Sequence, residues 1–141
     1  MKKRTYIDAS VLIAAFQGDE QISHKAMEIL DDPERILIVS DYLRLEVLPK
    51  PIAHRRQDEI DFMSAILESA GEDIKSSSEL TKRAIELASR YDMTPIDALH
   101  VGVASIADVD EFITMEKPEK PMCRVQETKV ISLYSGKNRT R

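Results

Sequence analysis

The chain has 141 residues and a net charge of −5, with 43% hydrophobic and 32% charged residues. That length is typical of one domain, and the four glycines and six prolines exclude a low-complexity or collagen-like chain. No run approaches the ~20 apolar residues of a membrane-spanning helix. An acidic protein is not an obvious nucleic-acid binder either, because neutralising phosphates takes Lys and Arg.

The first residues and the single cysteine bear on the compartment. The start, "MKKRTYIDASVLIAAF", places basic residues before an apolar run, as a secretory signal peptide does. Asp8 interrupts that run, and no small-x-small cleavage site follows it. Cys123 has no second cysteine for an internal disulfide, which is consistent with a reducing compartment. We therefore expect a cytoplasmic protein without a signal peptide or a membrane span.

Strand and helix patterns alternate along most of the chain. Short β-rich runs predict strands at Thr5–Asp8, Ile36–Ser40, Asp73–Lys75, Glu111–Thr114 and Lys129–Leu133. Apolar residues at helical spacing lie between most of them, as in the stripes Ile22–Leu30, Ile60–Ala70 and Leu80–Tyr91. This order predicts an α/β domain over residues 1–134, with a mostly parallel sheet flanked by helices. Residues 115–128 are predicted to form a long loop, and residues 135–141 a flexible basic tail.

Polar residues mark where several helices begin. Ser40 or Asp41 is suited to cap the helix in "SDYLRLEVLP", and Ser76 with Glu79 predicts a capping box for the third stripe. Thr94 is suited to an N-cap, with Pro95 at the first helical position. We expect three helices to start at these positions.

Asp8 ends the first predicted strand, directly before the helical stretch "ASVLIAAF". In open parallel sheets, ligands bind outside the carboxyl ends of the strands, which is where Asp8 lies. An N-cap for the next helix explains an acid at this position equally well. Both interpretations stay open for this residue alone.

Glu46 shares a helix face with two apolar side chains. Tyr42 and Leu43 precede it by four and three residues, so Glu46 is directed the same way as they are. The alternative is a glutamate at the margin of the apolar stripe, paired with Arg44 or Arg56.

Asp97 is the only formally charged residue between Pro95 and Ala107, in a helix that is apolar on nearly every face. Such a helix is normally buried, where a carboxylate is costly unless its charge is compensated. At the third position after a Thr94 cap, the negative charge of Asp97 would also interact favourably with the helix dipole and stabilise the helix. The dipole explains an acid at the helix end but not the apolar surroundings.

Glu116 follows the strand-like "EFIT" by one residue and completes a set of four acids with Asp8, Glu46 and Asp97. Alone, Glu116 is more easily explained as a solvated loop residue. Converging carboxylates cannot all stay ionised without a cation. Oxygen ligands without Cys or His select Mg²⁺ or Mn²⁺ rather than Zn²⁺, and the three histidines show no zinc spacing. Such a metal suits phosphodiester hydrolysis and would attract phosphate to an acidic pocket.

These motifs resemble those of PIN-domain ribonucleases, and most of all the VapC-type toxins of toxin–antitoxin pairs. The resemblance rests on "YIDASVLIAAF", "SDYLRLEV", "TPIDALHVGVA" and "FIT" with its following acid, in the family's order. It implies a PIN-like three-layer sandwich and a Mg²⁺- or Mn²⁺-dependent endonuclease for single-stranded RNA. It also implies a homodimer with a small antitoxin protein as possible partner.

The resemblance assigns site residues by their place in these motifs. The conserved acids map onto Asp8, Glu46 and Asp97, and two supporting hydroxyls map onto Ser10 and Thr114. The family usually has Thr-x-Asp with a basic and aromatic stretch, whereas this chain has Thr-Met-Glu followed by "KPEKPM". Glu116 is therefore the expected fourth acid for catalysis and metal binding.

Three alternatives stay open. Asp110 is a weaker candidate for the fourth acid, because it precedes its strand. A PIN-like scaffold that binds RNA or protein with little catalysis would suit the altered fourth acid. A receiver-type phosphoacceptor is also an α/β domain with an acidic Mg²⁺ pocket, but the third predicted strand does not end in the required acid.

Overall fold

The computed structural model of the chain describes residues 1–136. Its strands are β1 (Lys3–Ile7), β2 (Arg35–Ser40), β3 (Glu72–Ile74), β4 (Glu111–Thr114) and β5 (Val130–Ser132). Its helices are α1 (Ala9–Gln17), α2 (Glu20–Leu30), α3 (Asp41–Val47), α4 (Pro49–Ala53), α5 (Gln57–Ser69), α6 (Ser78–Tyr91) and α7 (Pro95–Ile106). Most of the predicted basic tail, residues 137–141, lies outside the described residues. Within residues 1–136, no helix is both long and apolar enough to span a bilayer.

The five strands form one sheet in the order β3-β2-β1-β4-β5, and every neighbouring pair is parallel. This confirms the predicted parallel α/β fold. The chain adds strands on one side of β1 and then on the other, so the direction of winding reverses between β1 and β4. The carboxyl ends of those two strands form the switch point where ligands of α/β sheets bind. A receiver-type domain has the order 2-1-3-4-5, so the strand order excludes that alternative.

Alternate strand residues separate the core into two layers, because successive side chains point to opposite faces of a sheet. One face carries Ile7, Val39 and Ile113 and packs against residues of α1, α2, α3 and α5. The opposite face carries Tyr6, Ile38 and Phe112 and packs against residues of α6 and α7. The sheet is therefore the middle layer of a three-layer sandwich, as the sequence pattern and the resemblance predict.

The helix starts agree with two of the three capping predictions. The Ser40 hydroxyl accepts a hydrogen bond from the Leu43 amide, and the Thr94 hydroxyl accepts one from the Asp97 amide. The third prediction was wrong by one residue. Ser77, not Ser76, caps α6, because the Ser77 hydroxyl accepts the hydrogen bond from the Leu80 amide. The Ser76 amide, which a capping box would pair with Glu79, donates to the Asp41 carboxylate.

The segment predicted as a loop between β4 and β5 is partly helical. Pro121–Arg124 form a short 3₁₀ helix, and the Met122 side chain is fully buried against the α7 side of the sheet. The Cys123 amide donates to the Lys120 carbonyl, and the Lys120 amide donates to the Lys117 carbonyl. These bonds order residues 117–123 into successive turns, while the buried Met122 side chain anchors the segment to the core.

Candidate active site

A cavity of about 270 Å³ opens at the switch point between β1 and β4. Its lining includes the four predicted acids, Asp8, Glu46, Asp97 and Glu116. The remaining lining residues include Ser10, His100 and several aliphatic side chains. The topology thus brings residues that are up to 108 positions apart in sequence to one place.

Asp8 is the most constrained of the four acids. Its Oδ1 accepts hydrogen bonds from the Ser10 amide at 3.1 Å and the Ser10 hydroxyl at 2.5 Å. Its Oδ2 accepts from the Thr114 hydroxyl at 2.7 Å. The two hydroxyl oxygens in turn accept from the amides of Met115 and Glu116. Asp8 is therefore both the N-cap of α1 and the best-anchored acid of the cavity, so the two interpretations of this residue are compatible.

Burial raises the pKa of Asp8, whose residue is only 5% exposed. His100 and the hydrogen bonds from Ser10 and Thr114 act in the opposite direction, while Glu116 adds to the rise. The carboxylate form is thus penalised by desolvation in spite of its three donors. A cation in the cavity would relieve that penalty.

Glu46 is joined to a buried polar chain that crosses the sheet face. Nε2 of His100 lies 2.5 Å from Oε1 of Glu46, and Nδ1 of His100 lies 2.6 Å from the Tyr6 hydroxyl. The Tyr6 hydroxyl also contacts the hydroxyl of Ser40 at 2.8 Å. Neither arginine suggested as a partner for Glu46 pairs with it, because Arg44 binds Asp73 and Asp41 and Arg56 binds Glu59.

Asp97 is paired with a lysine of the segment that follows β4. Lys120 Nζ lies 3.1 Å from Oδ2 of Asp97 and 3.7 Å from Oε1 of Glu116. Burial lowers the pKa of Lys120, but the hydrogen bond that Lys120 donates to Asp97 and the negative charges of Asp97, Glu116 and Asp8 outweigh it, so the net shift is upward. An ammonium group therefore lies between two of the four acids.

The two candidates for the fourth acid lie at opposite ends of β4. The Glu116 side chain is 41% exposed at the carboxyl end, where it lines the cavity. Asp110 precedes β4, and its carboxylate accepts a hydrogen bond from the Arg4 amide at 2.8 Å at the start of β1. Of these two acids, Glu116 alone is within reach of Asp8 and Asp97.

A divalent metal ion is the cofactor that the resemblance implies. The oxygen donors of the cavity suit a hard cation, and the Lys120 ammonium shows that positive charge is accommodated between Asp97 and Glu116. Among residues 1–136, no three acid, histidine or cysteine side chains lie close enough together to hold a metal in their present positions. Mg²⁺ commonly binds through one or two carboxylates and several waters, so the donor set fits once Lys120 has moved away.

Sequence reasoning missed two residues of this site. The spacing of the histidines gives no sign of a role for His100, yet it lies three residues after Asp97 on the same helix face and is 1% exposed. A polar ring on a buried helix was the available signal, but its partners come from α3 and β1. Lys120 had no usable signal, because its contact with Asp97 depends on the path of residues 117–123.

Comparisons with known proteins agree with this architecture. A family model described as PIN domain matches residues 5–117. The structure of VapBC2 from Rickettsia felis bound to a promoter DNA fragment is similar at a TM-score of 0.70 and 11% identity, covering 92% of this chain and 98% of that chain. A toxin–antitoxin complex from Klebsiella pneumoniae gives 0.68 and 19%, with the same coverage. PAE2754 from Pyrobaculum aerophilum gives 0.56 and 15%, covering 92% of each chain.

The comparison with curated proteins gives no match. At these low identities, the solved structures show a shared fold, whereas the family model shows membership directly. The matched segment contains Asp8, Glu46, Asp97 and Glu116. Nucleases of this family are hydrolases that generally use divalent metal ions. By fold and by sequence, the chain belongs to the PIN domain family.

Proposed function

We propose that this chain is a Mg²⁺- or Mn²⁺-dependent endoribonuclease that hydrolyses single-stranded RNA. The observation that carries the proposal is the convergence of Asp8, Glu46, Asp97 and Glu116 on one cavity at the switch point of a PIN fold. Ser10 and Thr114, which orient Asp8, are the supporting hydroxyls.

In this proposal, Asp8 and Asp97 would hold the metal, and Glu46 and Glu116 would complete the set directly or through water. A divalent ion supplies a Lewis acid for the phosphoryl oxygen and lowers the pKa of water. Ser10 and Thr114 fix both oxygens of Asp8, so this ligand needs little reorganisation. Glu46, held by His100, accepts the proton of the attacking water.

Lys120 has two roles in this scheme. In the metal-free protein, its ammonium balances the charges of Asp97 and Glu116. With a metal held by these carboxylates, Lys120 would no longer be needed to balance them and would be free to contact a phosphate of the RNA. The 34% exposure of its side chain leaves room for that movement.

The proposed biological role is the toxin of a toxin–antitoxin pair in the cytoplasm. It is supported by the similar fold of the two toxin–antitoxin structures from Rickettsia felis and Klebsiella pneumoniae. We propose a homodimer and a small antitoxin that places a basic side chain among the acids of the cavity. Light scattering tests the dimer, and a pull-down with wild type and Asp97→Asn tests for a partner whose binding depends on the acids of the cavity. A monomer at micromolar concentration, with no captured partner, would contradict both parts.

A binding scaffold with little catalysis is the second candidate, favoured by the Lys120 ammonium between Asp97 and Glu116. Incubation of the purified protein with single-stranded RNA, double-stranded RNA and single-stranded DNA separates the two functions. The nuclease predicts cleavage of single-stranded RNA that Mn²⁺ activates and EDTA stops. A scaffold predicts no cleavage under any of these conditions.

A further inference from the structure

A second cavity of about 440 Å³ adjoins the acidic one and shares Ile13 and Glu46 with it. That volume is within the range of small-ligand pockets, roughly 300–1,000 Å³. Any group bound there lies next to the proposed scission site. An RNA chain bound across the acids would have this second cavity directly beside it.

The second cavity contains a buried acceptor without a donor. Glu59 is 6% exposed and lines the cavity, and its Oε1 has no hydrogen-bond partner among the described residues. Arg56 Nη1 lies 3.5 Å from Oε1, which gives an ion pair but not a hydrogen bond. The first turn of α5 also favours an acid at this position through the helix dipole. Neither the Arg56 ion pair nor the helix dipole supplies the hydrogen-bond donor that a buried carboxylate oxygen ordinarily has.

The other lining groups are those expected around one nucleotide. Val47, Pro51 and Met63 give an apolar wall for a base. Lys50 and Arg56 supply positive charge for phosphates. Their two charges balance those of the two glutamates that line this cavity, whereas the cavity lined by the four acids has an excess of negative charge. Phosphate contacts of this kind hold the chain in register, while contacts to base edges give specificity.

The chemistry of Glu59 narrows the choice of base. A carboxylate only accepts hydrogen bonds, so its partner must present N–H donors. The Watson–Crick edge of guanine presents two adjacent donors, N1–H and N2–H, which match the two oxygens of a carboxylate. Single-stranded RNA exposes that edge for recognition.

We propose that this second cavity is a subsite for one nucleotide of the RNA substrate, in which Glu59 recognises guanine and Lys50 and Arg56 contact phosphate. This rests on the proposed ribonuclease function and adds a base preference to it. The preference should apply to a nucleotide next to the cleaved bond.

Fluorescence anisotropy with the full-length protein in EDTA tests binding without cleavage. The probes are labelled uridine-rich heptamers whose central base is guanine, inosine or adenine. We expect wild type to bind the guanine heptamer about tenfold more tightly than the adenine heptamer, since a bidentate contact gives that order of discrimination. The inosine heptamer keeps the N1–H donor and lacks the N2–H donor, so its affinity should lie between the other two. Glu59→Gln should remove the preference, and Glu68→Gln, an exposed glutamate of the same helix, should retain it.

Lys50→Ala at the exposed rim provides a second test that does not depend on the folding of Glu59→Gln. It should weaken binding of all three heptamers equally and lower the salt slope by about one. Equal affinities in wild type, a guanine preference that survives in Glu59→Gln, or unchanged affinity in Lys50→Ala would overturn the subsite. The subsite would also be overturned if Glu59→Gln lost a protein partner that wild type captures in a pull-down while its RNA binding stayed unchanged.

A parallel Mn²⁺-dependent cleavage assay separates this inference from the proposed function. Cleavage that shows no Glu59-dependent preference for guanine contradicts the subsite and leaves the nuclease intact. A Glu59-dependent guanine preference in binding, without any cleavage, contradicts the nuclease and supports the subsite.

Discussion

Nε2 of His100 lies 2.5 Å from Oε1 of Glu46, so a buried imidazole on α7 anchors an acid on α3. We expect His100→Phe to lower the cleavage rate by about 10–100-fold, as loss of a group that orients a metal ligand typically does. The Mn²⁺ concentration needed for half-maximal rate should rise with it. Tyr6→Phe is the matched control, because it removes the contact to Nδ1 of His100 and leaves Glu46 bound. An unchanged rate and Mn²⁺ requirement in His100→Phe would show that the contact is only structural.

Replacing Lys120 should raise the affinity for the metal, whereas replacing His100 should lower it. Lys120→Gln removes the ammonium that lies 3.1 Å from Asp97, so Mn²⁺ should bind about tenfold more tightly, in line with the ~1–4 kcal/mol between unit charges 4 Å apart. Calorimetric titration of the metal measures this without any reaction. Lys117→Gln is the control, because Lys117 lies over the Tyr134 ring instead. Weaker Mn²⁺ binding in Lys120→Gln than in Lys117→Gln would show that Lys120 does not compete with the metal.

Glu116 is predicted to assist metal binding without being indispensable. Its side chain is 41% exposed and one methylene longer than the aspartate usual in the family, so it holds a metal less firmly. Glu116→Gln should therefore reduce the rate by about 10–100-fold and leave residual activity. A Mn²⁺ titration of the rate is the measurement. Complete loss of activity at every Mn²⁺ concentration would make Glu116 an essential ligand instead.

Glu111, at the amino-terminal end of β4 and away from the cavity, gives a prediction about stability. Burial raises the pKa of Glu111, but the hydrogen bonds from Arg35 and Thr5 outweigh it and hold the pKa below its usual value. A lowered folded-state pKa stabilises the protein above the unfolded value, and this stability is lost as pH falls through the folded pKa. Glu111→Gln should lower the free energy of unfolding at pH 7 by about 1.5–3 kcal/mol.

Urea denaturation of wild type and Glu111→Gln between pH 7 and pH 3 measures this effect. The difference between them should shrink as pH falls below about 4.3, the ordinary glutamate pKa. Glu86→Gln, an exposed residue of α6, should match wild type throughout. A difference for Glu111→Gln that does not depend on pH would assign the loss to packing.

The sequence predicted those features that depend on local pattern. Alternating β-rich runs and helical stripes predicted all five strands within one or two residues, because buried parallel strands are short apolar runs between helices. The Ser76 amide, which a capping box would pair with Glu79, binds Asp41, 35 residues away, and the cap is Ser77. Tertiary contacts of that kind have no local signal.

The same distinction applies to the candidate site. Asp8 and Thr114 could be placed together because each ends a strand at the same edge of a parallel sheet. The bond between Glu46 and His100 could not be predicted, since it depends on how α3 packs against α7. The position of Lys120 depends on the path of a segment with no regular periodicity.

The central claim is that the acids of the cavity at the β1 and β4 carboxyl ends cleave single-stranded RNA with a bound metal. The most direct measurement is the Mn²⁺-dependent cleavage rate of Asp8→Asn, Asp97→Asn and Asp110→Asn beside wild type. All three variants lose one carboxylate, but Asp110 lies at the far end of β4 and binds the Arg4 amide. We predict no detectable cleavage by Asp8→Asn or Asp97→Asn and a wild-type rate for Asp110→Asn. Wild-type rates in the first two variants, or cleavage that persists in EDTA, would contradict the account.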